Sequence, residues 1–195
     1  MTYFICAFKG EARPFIKKRG LKHVCGLSYP LYENRDTLLI LTGMGNQNAS
    51  KATLELMLHR PPKTNDILVN IGVCAAPKKY GIGSVLAAKE IRYKKHILHI
   101  KTSISHPFEE VVLQSVDAVQ NKPCNTAVDM EAFGIYSSAV NYIDSRHMLF
   151  IKIVSDHFEP ENTDIKEMIK SIELKSDEIE SVLANRMLTG HTNKF

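Results

Sequence analysis

Tryptophan is absent from the 195 residues and only 8% are aromatic, so any core must be mainly aliphatic. Cysteine is sparse. Cys6, Cys25, Cys74 and Cys124 stand far apart with no C-x-x-C pair, which argues against a disulfide framework or a zinc ribbon. Cys6 and Cys74 fall in apolar runs, where cysteine acts as a small buried hydrophobe. A reducing, cytoplasmic setting is expected. No apolar run approaches the roughly 20 residues that span a bilayer. The N-terminal run Tyr3 to Phe8 is too short for a signal peptide and has no basic stretch before it, so no membrane partner is expected. The net charge is only +4. The basic cluster Lys17-Lys18-Arg19 with Lys22 and His23 lacks interleaved aromatics, so it reads as a solvated helix end and not as a nucleic-acid surface. His96 and His99 would point to opposite faces of a strand with no third ligand near, so no metal is expected. No Gly-x-Ser-x-Gly elbow supports a serine hydrolase.

What remains is ordinary globular composition, 44% hydrophobic and 24% charged, in one domain spanning residues 1–195. Buried strands are predicted at Tyr3 to Phe8, Thr37 to Thr42, Ile67 to Val73 and His147 to Val154. A short strand is predicted at His23 to Leu27, followed by a turn-rich patch around Pro30; Ser84 to Tyr93 and His96 to Thr102 are predicted as two strands of a mixed sheet, to which Ala127 to Asp129 returns. Helices are predicted from Ala12 to Arg19 with Pro14 in the first turn and Gly20 as its cap. Others run from the Gly43-Met44-Gly45-Asn46 turn to His59, from Pro107 to Val119 and from Met130 to Tyr142. A last helix starts at Asn162 or Thr163 and breaks at Ser176-Asp177, and the tail from Gly190 is frayed. Strands alternating with helices give an α/β fold, a three-layer sandwich with a central mixed sheet between helices.

The stretch Thr126 to Tyr136 stands out because a short strand ends in Asp129-Met130-Glu131 and a helix follows at once. The run Met148 to Val154 likewise stops at Ser155-Asp156. If both are neighbouring strands, Glu131 and Asp156 sit at strand ends, where α/β sheets place their ligand crevices. From spacing alone each acid also has a structural role. Glu131 suits the first turn of a helix, Asp129 an N-cap, Asp156 a turn and Glu11 the entry to the first helix. Gly43-Met44-Gly45 offers close backbone approach and free helix N–H groups, or simply turn geometry.

Several stretches, in order, resemble the nucleoside phosphorylase and nucleosidase superfamily, which includes the methylthioadenosine/adenosylhomocysteine nucleosidases and futalosine hydrolase. They are Leu39 to Thr53, Val69 to Ala76, Gly81 to Tyr93, the ribose-motif-like Val128 to Ala132 and the Ser-Asp pair closing Ile153 to Asp156, with Glu11 after the first strand. The resemblance implies a nucleosidase that releases a free base from a purine nucleoside. Asp156 would be the acid that protonates the base at N7, Glu11 the group that orients or deprotonates water, and Glu131 the clamp on the ribose hydroxyls. Met130 would pack on the ribose, and Gly45, Cys74, Ala75 and Ala76 would border the substrate. No cofactor, a homodimer or larger homo-oligomer, and a small-molecule partner are implied. Asn70 stands where the phosphorylases carry an arginine, which favours water over phosphate. Phosphorolysis, or a nucleoside-binding protein without turnover, are the alternatives. Val73 replaces the family's serine, Ala75-Ala76 replaces a Gly-Gly pair, and the segment from Phe108 to Val128 lacks the family's adenine-stacking loop. These departures bring the compact chain closer to members that act on larger modified nucleosides.

Overall fold

Four nearly all-apolar runs decide the architecture of the computed structural model, which describes residues 1–189. They form β1 (Thr2–Cys6), β4 (Thr37–Leu41), β5 (Ile67–Ala75) and β10 (Met148–Asp156), paired in parallel in the order β10-β5-β1-β4. Such strands must be buried on both faces, and they are. Tyr3 and Ile5 face a core completed by α2 (Asn46–His59) and α3 (Ala132–Ala139). Phe4 and Cys6 face the opposite core, completed by α1 (Lys9–Arg19) and α4 (Ile165–Thr189). The period-two alternation along one strand thus divides the molecule into three layers.

The remaining strands extend the sheet on both sides. β2 (Lys22–Val24) and β3 (Leu31–Glu33) add an antiparallel wing to β4. β6 (Val85–Tyr93), β8 (Glu109–Ser115) and β9 (Ala127–Asp129) curl from β10 back to β5, and β7 (His96–His99) pairs with β6 as a hairpin. Because β9 meets β5 at Ala75 opposite Val128, these five strands close on themselves. β1 leaves β5 after Asn70, while β9 joins only at Ala75. That leaves a gap along one edge of β5, and the site is built there.

The structure departs from the sequence-based expectation at several elements. Pro107 to Val119 is not helical, because Val111, Leu113 and Ser115 alternate inward and the segment forms β8 between β6 and β9. β3 occupies part of the expected turn region because Leu31 is buried against β4. α1 starts at Lys9, so Pro14 lies in its second turn and not its first. α3 stops at Ala139, short of Tyr142. α4 runs unbroken through Ser176, whose hydroxyl donates to the Glu173 carbonyl at 2.6 Å within the helix. The expected fraying from Gly190 lies outside the described residues.

α2 and α3 touch through Gly134. Its N–H donates to Asn46 Oδ1 at 2.9 Å, and a Cβ built there would lie 2.1 Å from the Asn46 carbonyl oxygen. Only glycine fits, because backbone cannot move aside as a side chain would. Gly134→Ala should therefore lower stability by about 3 kcal/mol or more. Equilibrium urea unfolding measures this, and an unchanged midpoint would refute the contact.

Candidate active site

The gap beside β5 leaves the Val73 N–H without a strand partner. Glu11 supplies one, its Oε1 accepting that N–H at 3.1 Å. Its Oε2 accepts from Ala7 at 2.8 Å and Phe8 at 3.0 Å, the free donors where β1 ends and α1 begins. Glu11 therefore closes both a helix start and a sheet edge. It is 1% exposed, and burial raises its pKa despite these three donors and the nearby Lys152 charge.

Asp129, at the end of β9, caps α3 by accepting from Ala132 N at 2.8 Å. Ser115 at the end of β8 donates to its other oxygen at 2.5 Å and accepts from Phe133 N at 3.1 Å. Lys152, in the middle of β10, completes the group with Nζ 2.8 Å from Asp129 Oδ2. Both side chains are essentially shut off from solvent. Burial works against the lysine's charge, but Asp129, Glu131 and Glu11 outweigh it and raise its pKa, so it stays cationic.

Glu131 follows two residues later as the residue preceding α3, and its Oε1 accepts from Gly45 N at 2.9 Å. Gly45 has φ +97°, a conformation that side chains resist, and this turns its N–H toward the carboxylate. Burial first, then the Asp129 charge, push Glu131 up to about 7. Asp156 ends β10, where it pairs with Ala75 of β5. Its Oδ1 accepts from Phe158 N at 2.8 Å and its Oδ2 lies 2.7 Å from Ser155 Oγ. Ser155 Oγ is also 3.2 Å from the Cys74 carbonyl. One hydroxyl proton cannot serve both acceptors fully.

Glu11, Asp129, Glu131, Ser155 and Asp156 all border one cavity of about 600 Å³. Its remaining walls are largely apolar, from Phe8, Met44, Val119, Met130 and, on α4, Met168 and Ile169. Among the described residues no lysine, arginine or histidine lines it. Of the residues singled out from sequence, Glu11, Glu131, Asp156, Met130, Cys74 and Ala75 line this space. Gly45 reaches it only through its bond to Glu131, and Ala76 lies behind the wall, its carbonyl 2.8 Å from His157 Nδ1. Burial pushes the Cys74 thiol up to about 12, so it lines the cavity as an apolar group and not as a nucleophile. Lys152, Ser115 and the loop residue Gln120 were not anticipated. Lys152 did leave a signal, being the one charge inside the apolar run Met148 to Val154.

Glu131 gives stability a sign with pH. Its folded value of about 7 lies above its ordinary 4.5, so the folded state holds this proton more tightly. The contribution of Glu131 to stability is then fully present below pH 4.5 and is lost as the pH rises through 7, on the order of 3 kcal/mol. Glu131→Gln should flatten the decline, as read from urea midpoints across that window; an unaltered slope would contradict it. Lys152→Met leaves Asp129 buried and unpaired and should cost about 3–5 kcal/mol. A variant as stable as the parent would show the pair to be dispensable.

Comparison with protein-family models finds no match, and a sequence search of curated proteins finds none either. Solved structures do match. A 5'-methylthioadenosine/S-adenosylhomocysteine nucleosidase from Helicobacter pylori, bound to butyl-thio-DADMe-Immucillin-A, superposes with a TM-score of 0.80 at 12% identity, over 94% of this chain and 97% of that one. Futalosine hydrolase of Helicobacter pylori gives 0.79 at 13% identity, over 94% and 97%. A methylthioadenosine/adenosylhomocysteine nucleosidase from Colwellia psychrerythraea, in complex with adenine, gives 0.73 at 15% identity, over 93% of each chain. At these identities the likeness establishes architecture, and the chain has the nucleoside phosphorylase-like α/β fold.

Proposed function

We propose that the protein hydrolyses the N-glycosidic bond of a purine nucleoside and releases the free base. The observation that carries this reading is the convergence of Glu11, Glu131 and Asp156, from three separate elements, on one cavity. Cleavage breaks the C1'–N9 bond with both electrons leaving on the base, so the sugar becomes cationic and the base anionic. Asp156, at the end of β10 beside Ser155, is the acid that delivers a proton to N7 and neutralises the base. Glu131 accepts hydrogen bonds from the ribose hydroxyls, which favour its ionised form, and its charge then stabilises the cationic sugar. Water adds its oxygen to C1' and gives a proton to Glu11, whose burial makes it a stronger base than a solvated glutamate.

Water is the nucleophile in this reading because a phosphate dianion would enter a space lined by acids and by no cation among the described residues. The adenine held by the Colwellia neighbour supports a purine as the leaving base. We also take the protein to act in the cytoplasm as a homodimer or larger assembly, which would cover the exposed Phe8, Met44 and Val119 beside the cavity.

Incubation with a panel of purine nucleosides, with free base followed by chromatography, tests the reading. Base release should not require phosphate, and a strict phosphate requirement would overturn the hydrolase assignment. Asp156→Asn should slow release by about 10²–10⁴-fold, the range of a general acid. Undiminished turnover in that variant would remove Asp156 from the mechanism.

A further inference from the structure

A second cavity, of about 250 Å³, adjoins the one already described. Ser155, Asp156, Thr163 and Met168 line both, so these four residues form the partition between them. The mechanism above sets N7 of the base against Asp156. In a purine, N7 and the group on C6 lie on one edge. A base whose N7 faces this partition therefore directs its 6-substituent at the same partition. Two of its residues suit an opening there. Met168 is unbranched and adapts its shape to a neighbour. Thr163 is short, and its hydroxyl is buried with no hydrogen-bond partner among the described residues. A buried hydroxyl of this kind is costly until something bonds to it.

The two cavities differ in chemistry. The first is walled largely by apolar side chains, whereas His157, Glu159, Asn162, Asp164 and Glu167 line the second. His157 Nδ1 lies 2.8 Å from the Ala76 carbonyl, which can only accept, so Nδ1 carries the hydrogen and Nε2 is left as an acceptor. Asp164 uses Oδ1 to accept from Lys166 N at 2.8 Å, and Glu159 uses Oε2 to accept from Asn162 Nδ2 at 3.1 Å. Their other oxygens have no hydrogen-bond partner among the described residues. No lysine or arginine lines the space among the described residues. At ~30 Å³ for a water-sized group, 250 Å³ admits about eight such groups. The occupant that fits is a short chain ending in a hydrogen-bond donor, with a cation favoured and an anion repelled.

We infer that the second cavity is a subsite for a substituent on the 6-amino group of the base, so that the substrates are N6-substituted adenine nucleosides whose side chain ends in an ammonium or another donor. This rests on the nucleosidase reading. Base release from adenosine, N6-butyladenosine, N6-aminobutyl-adenosine and N6-carboxypropyl-adenosine tests it. The aminobutyl substrate should exceed the butyl one in kcat/KM by about 10–100-fold, the range of a hydrogen bond to a charged group, and the carboxypropyl one should fall below it. Glu167→Lys should lower the aminobutyl value and raise the carboxypropyl one. Ile82 is exposed and lines only the second cavity, so Ile82→Trp should remove the aminobutyl advantage and leave adenosine turnover unchanged. Wild-type protein that cleaves adenosine but rejects every N6-substituted nucleoside overturns the inference and leaves the hydrolase reading standing. Equal cleavage of the substituted nucleosides does the same. Wild-type protein that binds the nucleosides in calorimetry without releasing base refutes the hydrolase reading, and the order of the Kd values then decides the subsite. Protein that binds none of them overturns both.

Discussion

The site depends on one buried cation. Lys152 stands in the middle of a strand whose neighbours are all apolar, in a place where an ammonium would ordinarily lose its proton or pull the strand apart. It stays because Asp129 is 2.8 Å away and because Glu11 and Glu131 add to the field. The dependence runs in both directions. Three carboxylates brought together out of water repel one another, and each is expensive to bury alone. One lysine does not neutralise three acids, so the shortfall falls on the least committed of them. Asp129 is locked by the ion pair, a serine and the helix it caps; Glu11 accepts three backbone donors; Glu131 has one. Glu131 is accordingly the acid pushed up to about 7, and the one free to exchange its remaining contacts for a ligand's hydroxyls.

The scaffold explains why such a cluster forms where it does. A parallel sheet ends in unsatisfied backbone groups, and here two strands meet the edge of β5 with an interval between them. The interval exposes the Val73 N–H, α1 begins within reach, and a glutamate in its first turn bridges the two. β9 is short because Asp129 must turn the chain into α3 at once, and α3 can lie against α2 only because residue 134 has no side chain. That close approach keeps Gly45 against Glu131. The same hydrogen bonds therefore hold the fold together and shape the cavity.

Much of this was legible in the chain itself. The four buried strands, the helix after Gly45 and the left-handed stop at Gly20 follow from apolar runs and from glycine, signals that tertiary structure reinforces. The segment of β8 reads locally as a helix started by Pro107, whereas its pairing with β6 and β9 decides the matter. Ser176-Asp177 was misread because a local breaking tendency is weak against a helix face that buries Ile172, Ile179 and Leu183. Glu11, Glu131 and Asp156, singled out through their places at element ends and a family resemblance, line one cavity. The roles of Lys152 and Ser115 depend on contacts made across strands, which linear spacing does not encode.

The distribution of charge separates the possible nucleophiles on physical grounds. At about 4 Å, two like charges near a protein surface repel by about 4 kcal/mol, and a dianion doubles that for each ionised acid it meets. Phosphate could overcome this only with cations of its own. Among the described residues the cation near the acids is Lys152, whose Nζ is buried against Asp129 and does not border the cavity. Water carries no such penalty, and it gains from the acids, since a strong buried base and an ionised neighbour both favour losing its proton toward a cationic sugar. An acid cluster stabilised from behind by a lysine is thus suited to a reaction whose positive charge develops in the substrate. It is poorly suited to one whose nucleophile arrives already negative.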